Sequence, residues 1–147
     1  MAQETIDGFY SKINHLKTKL LNKKVVYNYH DPSTSVLEGV FARGDRRLNA
    51  VLHKAYSLGC KFDGWADSFK MSVWLEAFRE CGIDPDFYTA RERSFDEFLP
   101  WDIIDAGINK AYLVSEYKKA LQAEGTEDCR DGCTGCGLNV NLIGGDC

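Results

Sequence analysis

Four of the six cysteines, Cys129, Cys133, Cys136 and Cys147, fall within the last 19 residues. The first three stand in Asp128-Cys129-Arg130-Asp131-Gly132-Cys133-Thr134-Gly135-Cys136-Gly137, a C-x3-C-x2-C spacing. Thiolates this close in sequence can reach one thiophilic centre, either zinc or an iron–sulfur cluster. Gly132, Gly135 and Gly137 permit left-handed backbone, so a short loop can fold tightly and aim amide N–H groups at sulfur. Cys147 is a candidate fourth ligand. Three readings follow from this spacing: an iron–sulfur cluster, a structural zinc, or a cysteine-rich tail of ordinary thiols.

The remaining polar residues make weaker sites. Arg43, Arg46 and Arg47 near a helix start are candidates to grip a phosphate or carboxylate, or are plain surface charge. His15, His30 and His53 stand apart from obvious ligand partners. Asp63, Asp84, Asp86, Asp96 and Asp102 adjoin turns or aromatics, where they cap or bond backbone. No nucleophile–base pair and no phosphate loop is visible.

The elements that must position these groups are mostly helical. Ile6, Phe9, Ile13, Leu16 and Leu20 form one stripe, predicting a helix over residues 4–21. Between Ser35 and Phe78, two amphipathic stretches carry Val36, Val40, Leu48, Val51, Leu52, Ala55 and Tyr56, then Phe69, Val73, Trp74, Ala77 and Phe78. They meet at Gly59-Cys60-Lys61-Phe62-Asp63-Gly64-Trp65, whose Phe62 and Trp65 are expected inside the joint. Gly44 is a break, Asp45 and Ser68 are N-cap candidates, and Gly59 and Gly82 are stops. Ser94-Phe95-Asp96-Glu97 has the form of a capping box. A last helix is expected from about Lys110 to Glu124, with Leu113, Val114, Tyr117, Ala120 and Leu121 as its core face. Lys24 to His30 alternates like a strand, as does Leu138 to Leu142. The fold class expected is mainly α, with four or more helices and one or two short strands. Three segments are expected: residues 1–34, a helical domain at 35–125, and a cysteine-rich tail at 126–147.

With 147 residues, 44% hydrophobic and 27% charged, the chain has the make-up of an ordinary globular domain. Its net charge of −4 makes no case for nucleic acid, although residues 1–30 hold five Lys against Glu4 and Asp7. No run reaches the about 18 apolar residues of a membrane span, and no signal-peptide pattern opens the chain, so a cytoplasmic location is expected. Cysteines in that reducing compartment are expected as thiols or metal ligands.

Several long runs resemble the late part of a radical SAM family that carries a cobalamin-binding-type N-terminal domain. They are Glu38-Gly39-Val40-Phe41-Ala42-Arg43-Gly44-Asp45-Arg46-Arg47-Leu48, the Gly59 to Trp65 joint, and Cys81-Gly82-Ile83-Asp84-Pro85-Asp86-Phe87-Tyr88. Arg91-Glu92-Arg93-Ser94, Leu99-Pro100-Trp101-Asp102 and the Asp128 to Gly137 knuckle continue it in order. The C-x3-C-x2-C spacing is also that of the [4Fe–4S] motif of radical SAM enzymes, but there it lies early and an aromatic residue precedes the last cysteine. Here that residue is Gly135. An auxiliary cluster or a structural zinc site is therefore expected here, and not the SAM cluster.

It further implies that residues 24–30 are like a late strand of a (β/α) barrel with a helical region appended. The SAM-cluster core, the barrel and the cobalamin-type domain would precede Met1, and no residue that binds SAM or cobalamin in the family has a match here. The implied partner is the rest of such a protein. The implied function is that of a C-terminal segment of an iron–sulfur oxidoreductase-like protein, not catalytic by itself. The alternative is a standalone helical protein-interaction module with a structural zinc knuckle.

Overall fold

The computed structural model describes residues 2–21 and 24–140. Among them there are six α-helices and no strand: α1 Ile6–Lys19, α2 Pro32–Ala42, α3 Leu48–Ser57, α4 Met71–Glu80, α5 Asp86–Thr89 and α6 Lys110–Leu121. The chain is mainly α, as its periodicity requires.

Local chemistry sets the helix ends. Thr5 accepts the Gly8 N–H at 3.1 Å and starts α1, and Asp31 accepts those of Ser33 at 2.9 Å and Thr34 at 3.1 Å and starts α2. Pro32 occupies the first turn of α2, where a missing N–H costs nothing. The Asp31-Pro32 pair thus opens a helix. Ser68 does not cap α4; Lys70 precedes that helix with no side-chain cap. The helix stops at Gly59 and Gly82 are as expected. Both take positive φ, and the next residues, Cys60 and Ile83, reach back to Ala55 O and Phe78 O.

α6 closes with the same bond pattern, Glu124 N–H to Lys119 O and Ala123 N–H to Ala120 O, but Ala123 holds the left-handed position at φ 57°. A Cβ there is strained by about 1–2 kcal/mol. Ala123→Gly is therefore expected to stabilise the α6 end by about 1 kcal/mol, seen as slower amide exchange in its last turn; unchanged exchange would show that the cap is not a weak point.

The chain forms two compact units, Met1–Ser94 and Phe95–Cys147. This differs from division after residues 34 and 125, and the bonding explains why. α1 packs on α2. Gln3 bonds Thr89 O through its backbone and Ser35 O through its side chain, both in the first unit. The cysteine tail bonds the start of α6, as described below.

The core of the first unit lies between α2, α3, α4 and α5. Leu37, Val40, Leu48, Val51, Ala55, Trp74, Ala77, Phe78 and Tyr88 are buried there, with Cys60 from the joint. Trp74 meets Phe41 edge-on at 5.5 Å. Lys54 and Glu80 pair across α3 and α4.

Four expectations fail for tertiary reasons. Phe62 and Trp65 are exposed, at 73% and 67%, and lie edge-to-face at 5.9 Å. Phe62 has φ 61°, and the buried residue of the joint is Cys60, whose N–H donates to Ala55 O at 2.9 Å. Lys24 to His30 is in no strand; it returns beside α1, with Lys17 donating to Tyr29 Oη at 2.8 Å. Alternation signals a side-chain pattern that suits a pleated surface, and no second strand is present among the described residues to make one. Leu138 to Val140 is a helical turn instead of a strand, and residues 141 and 142 lie outside the described residues. Finally, α6 buries none of its side chains fully, and Leu113 and Leu121 are exposed.

Candidate metal centre

The cysteine tail is anchored at one point. The Asn109 N–H, at the start of α6, donates to Cys136 O at 2.8 Å. Gly137 follows at φ 91°, and a Cβ there would come within 2.3 Å of Asn109 Nδ2. A side chain at this position would push the Asn109 side chain aside and strain the left-handed backbone beside Cys136. Gly135 also takes positive φ, at 72°, and its N–H donates to Cys133 Sγ at 3.3 Å. Upstream, Asp128 and Arg130 form a local pair, with Arg130 Nη2 to Asp128 Oδ2 at 2.7 Å. The loop is thus built from glycine turns and short-range bonds, as its spacing implies.

The sulfurs are in different states. Cys129 and Cys136 are free thiols, as are Cys60 and Cys81, whereas Cys133 is disulfide-bonded. Among the described residues, no group of three or more His, Cys, Asp or Glu side chains is gathered as metal ligands would be. Cys147 lies outside the described residues. The donor set at Cys129, Cys133 and Cys136 suits a soft metal, and the amide on Cys133 Sγ suits a thiolate. The oxidised arrangement does not hold one, because a disulfide sulfur has no thiolate to give.

The three arginines do not form an anion site. Arg43 donates to Gln3 Oε1 at 2.6 Å, Arg47 pairs with Asp45 at 2.6 Å, and Arg46 is exposed. His15, His30 and His53 are exposed and separate.

A second polar constellation was not foreseen. Asp45 Oδ1 accepts the backbone N–H of Arg47 at 2.9 Å and, at 3.3 Å, the hydroxyl of the buried Tyr88. The Arg47 guanidinium lies over the rings of Phe87, at 5.1 Å, and Tyr88, at 5.7 Å. Hydrogen bonds from Arg47 lead in lowering the Asp45 carboxyl from 3.8 to about 2, and burial raises the Tyr88 hydroxyl. This cluster ties the α2–α3 corner to α5. The sequence signal was the Asp45-Arg46-Arg47 run beside a distant Phe87-Tyr88, two segments that periodicity does not connect.

Because the Asp45 carboxyl titrates lower folded than unfolded, its contribution is complete above pH 3.8 and is lost as pH falls through about 2. Asp45→Asn is expected to flatten the acid limb of the stability curve in that window, measured by urea midpoints across it. An unchanged acid limb would show that other carboxylates set it.

No helix among the described residues is long and apolar enough to cross a membrane. Comparison with models of protein families, with curated proteins and with solved structures found no match.

Proposed function

We propose that the chain is the C-terminal segment of a cobalamin-type radical SAM, iron–sulfur oxidoreductase-like protein, with an auxiliary metal centre at Cys129, Cys133 and Cys136 and Cys147 as candidate fourth ligand. In this reading the chain works in the cytoplasm, beside the barrel and cobalamin-type domain of such a protein. The observation that carries it is the loop itself: left-handed Gly135 and Gly137 flank Cys136, and an amide is aimed at the Cys133 sulfur. That backbone matches what a thiolate centre needs. The free Cys129 and Cys136 thiols stand on either side of Cys133. A cluster there would supply electron transfer or anchoring, and a zinc would supply anchoring only. The radical chemistry belongs to the segments that this sequence does not include.

The disulfide at Cys133 sets a condition: the centre loads only after reduction. The test is anaerobic incubation of the reduced chain with iron and sulfide, and separately with zinc. A broad absorption near about 400 nm with bound iron and sulfide supports the cluster. Zinc uptake without colour supports the second reading, a helical interaction module with a zinc knuckle. That second reading is favoured by a first unit that has its own buried core and displays Phe62 and Trp65 to solvent. Uptake of neither metal by the reduced chain would overturn both. Under either outcome the chain by itself is expected not to form 5′-deoxyadenosine from SAM, and its formation would refute the segment reading.

A further inference from the structure

The joint between α3 and α4 builds an aromatic pair and leaves it open. The Trp65 N–H donates to Phe62 O at 2.9 Å, which closes a turn over residues 62–65. Across that turn the two rings stand edge-to-face at 5.9 Å. The N–H groups of Ser68 and Phe69 both donate to Trp65 O, at 2.9 and 3.1 Å, and hold the Trp65 backbone from its other side. Both rings are exposed.

Phe62 holds its place under strain. Its φ of 61° is in the left-handed region, where a bulky side chain crowds its own backbone and glycine does not. Burial does not offset that strain, because the ring is in solvent. Strained backbone kept beneath an exposed ring points to a contact that the ring makes.

The surrounding chemistry narrows the partner. Tyr29, Tyr56, Phe87, Tyr88 and Phe95 each have a Lys or Arg of this chain over the ring, at 4.3 to 5.9 Å from the centroid. Among the described residues, no cation lies over Phe62 or Trp65. Two carboxylates, Asp63 and Asp67, flank Trp65 in sequence. Among the described residues neither has an ion-pair partner, and Asp63 Oδ1 is buried without a donor. The nearest cation in sequence, Lys61, lies over the Tyr56 ring at 5.1 Å, and Lys70 stands at the far end of the loop, before α4.

Open aromatic faces beside unpaired carboxylates suit the guanidinium of arginine. It is planar and weakly hydrated, stacks on aromatic rings, and donates in a fork to a carboxylate. We propose that Phe62 and Trp65, with Asp63 and Asp67, form a docking site for an arginine-bearing segment of a different polypeptide. The site lies within the first unit and goes beyond both metal readings, since it needs neither the tail cysteines nor a bound metal.

The test is fluorescence anisotropy of a dye-labelled peptide of Arg-Gly-Gly repeats, titrated with the full chain, metal-free and with reductant present. Saturable binding is expected, and added salt is expected to weaken it by screening. Phe62→Gly and Trp65→Ala are each expected to weaken it about ten-fold or more, as removal of an aromatic anchor does. Asp67→Asn is expected to weaken it about three-fold, because Asp67 is exposed and its ion pair with the peptide is screened. Lysine in place of arginine in the peptide is expected to bind several-fold more weakly, since an ammonium has no plane to stack. Phe62→Gly also separates binding from folding. Glycine takes the left-handed position without strain, so the urea midpoint of that variant is expected to equal or exceed that of the unaltered chain. Absence of saturable binding overturns the inference. Binding that both aromatic substitutions leave unchanged places the peptide elsewhere and overturns it as well. Equal binding of glutamate or proline repeat peptides would make the pair an unselective apolar patch, with the same consequence. A dimer in sedimentation of the chain alone that Phe62→Gly dissolves would assign the pair to a second copy and also overturn the proposal.

Discussion

Trp74→Ala is expected to destabilise the first unit by about 3–5 kcal/mol. Trp74 is 6% exposed and sits on the face of α4 that looks into the core, with its ring edge-on to Phe41 of α2 at 5.5 Å. Ala77 and Phe78 on the same helix are buried beside the α3 residues Val51 and Ala55. Removing the indole leaves a void that these packed neighbours cannot fill without moving a helix, so transfer and cavity terms add. Among the described residues, the buried Trp74 Nε1–H has no acceptor. That makes Trp74→Phe a sharp comparison, since it keeps an aromatic edge for Phe41 while deleting an unpaired donor. The phenylalanine variant is expected to lose less than about 1.5 kcal/mol, the range of volume-tolerant core swaps. The measurement is reversible urea unfolding followed by far-UV circular dichroism. A loss below about 1 kcal/mol for the alanine variant would mean that this helix contact is not the core.

Cys133→Ser is expected to abolish metal uptake by the reduced chain entirely. Cys133 is the middle sulfur of the three and the one that receives the Gly135 amide at 3.3 Å. Without it, Cys129, Cys136 and the candidate Cys147 are one sulfur short of the four that a closed tetrahedral zinc site or a cluster takes. Cys81→Ser serves as the comparison, because Cys81 lies at the end of α4, in the other unit. It is expected to leave uptake unchanged. Metal content by elemental analysis and thiol titration before and after reduction read the result. Uptake by Cys133→Ser equal to that of the unaltered chain would remove Cys133 from the centre. Full uptake by the unreduced chain would contradict the disulfide at that residue.

Much of the architecture was legible in the chain as written, because helices depend on short-range information. The stripe of α1, the α3 and α4 faces, and the glycine stops at Gly59 and Gly82 are encoded within a few residues of where they act. The glycine turns of the cysteine loop were legible for the same reason. What failed depended on partners distant in sequence. Phe62 and Trp65 read as core by type, yet both rings are exposed, and the cap that closes α3 on Ala55 O buries Cys60 instead. Residues 24–30 have strand composition, but a strand needs a neighbour, and among the described residues there is none. The face of α6 has helical spacing without a surface that buries it fully. The Asp45–Arg47–Tyr88 cluster joins residues 43 positions apart, beyond any periodic pattern. Types and spacing therefore determined helix, stop and candidate ligand. Only the tertiary structure decided which apolar side chains found a partner and which cysteine is oxidised, since burial and bonding depend on what the fold brings into contact.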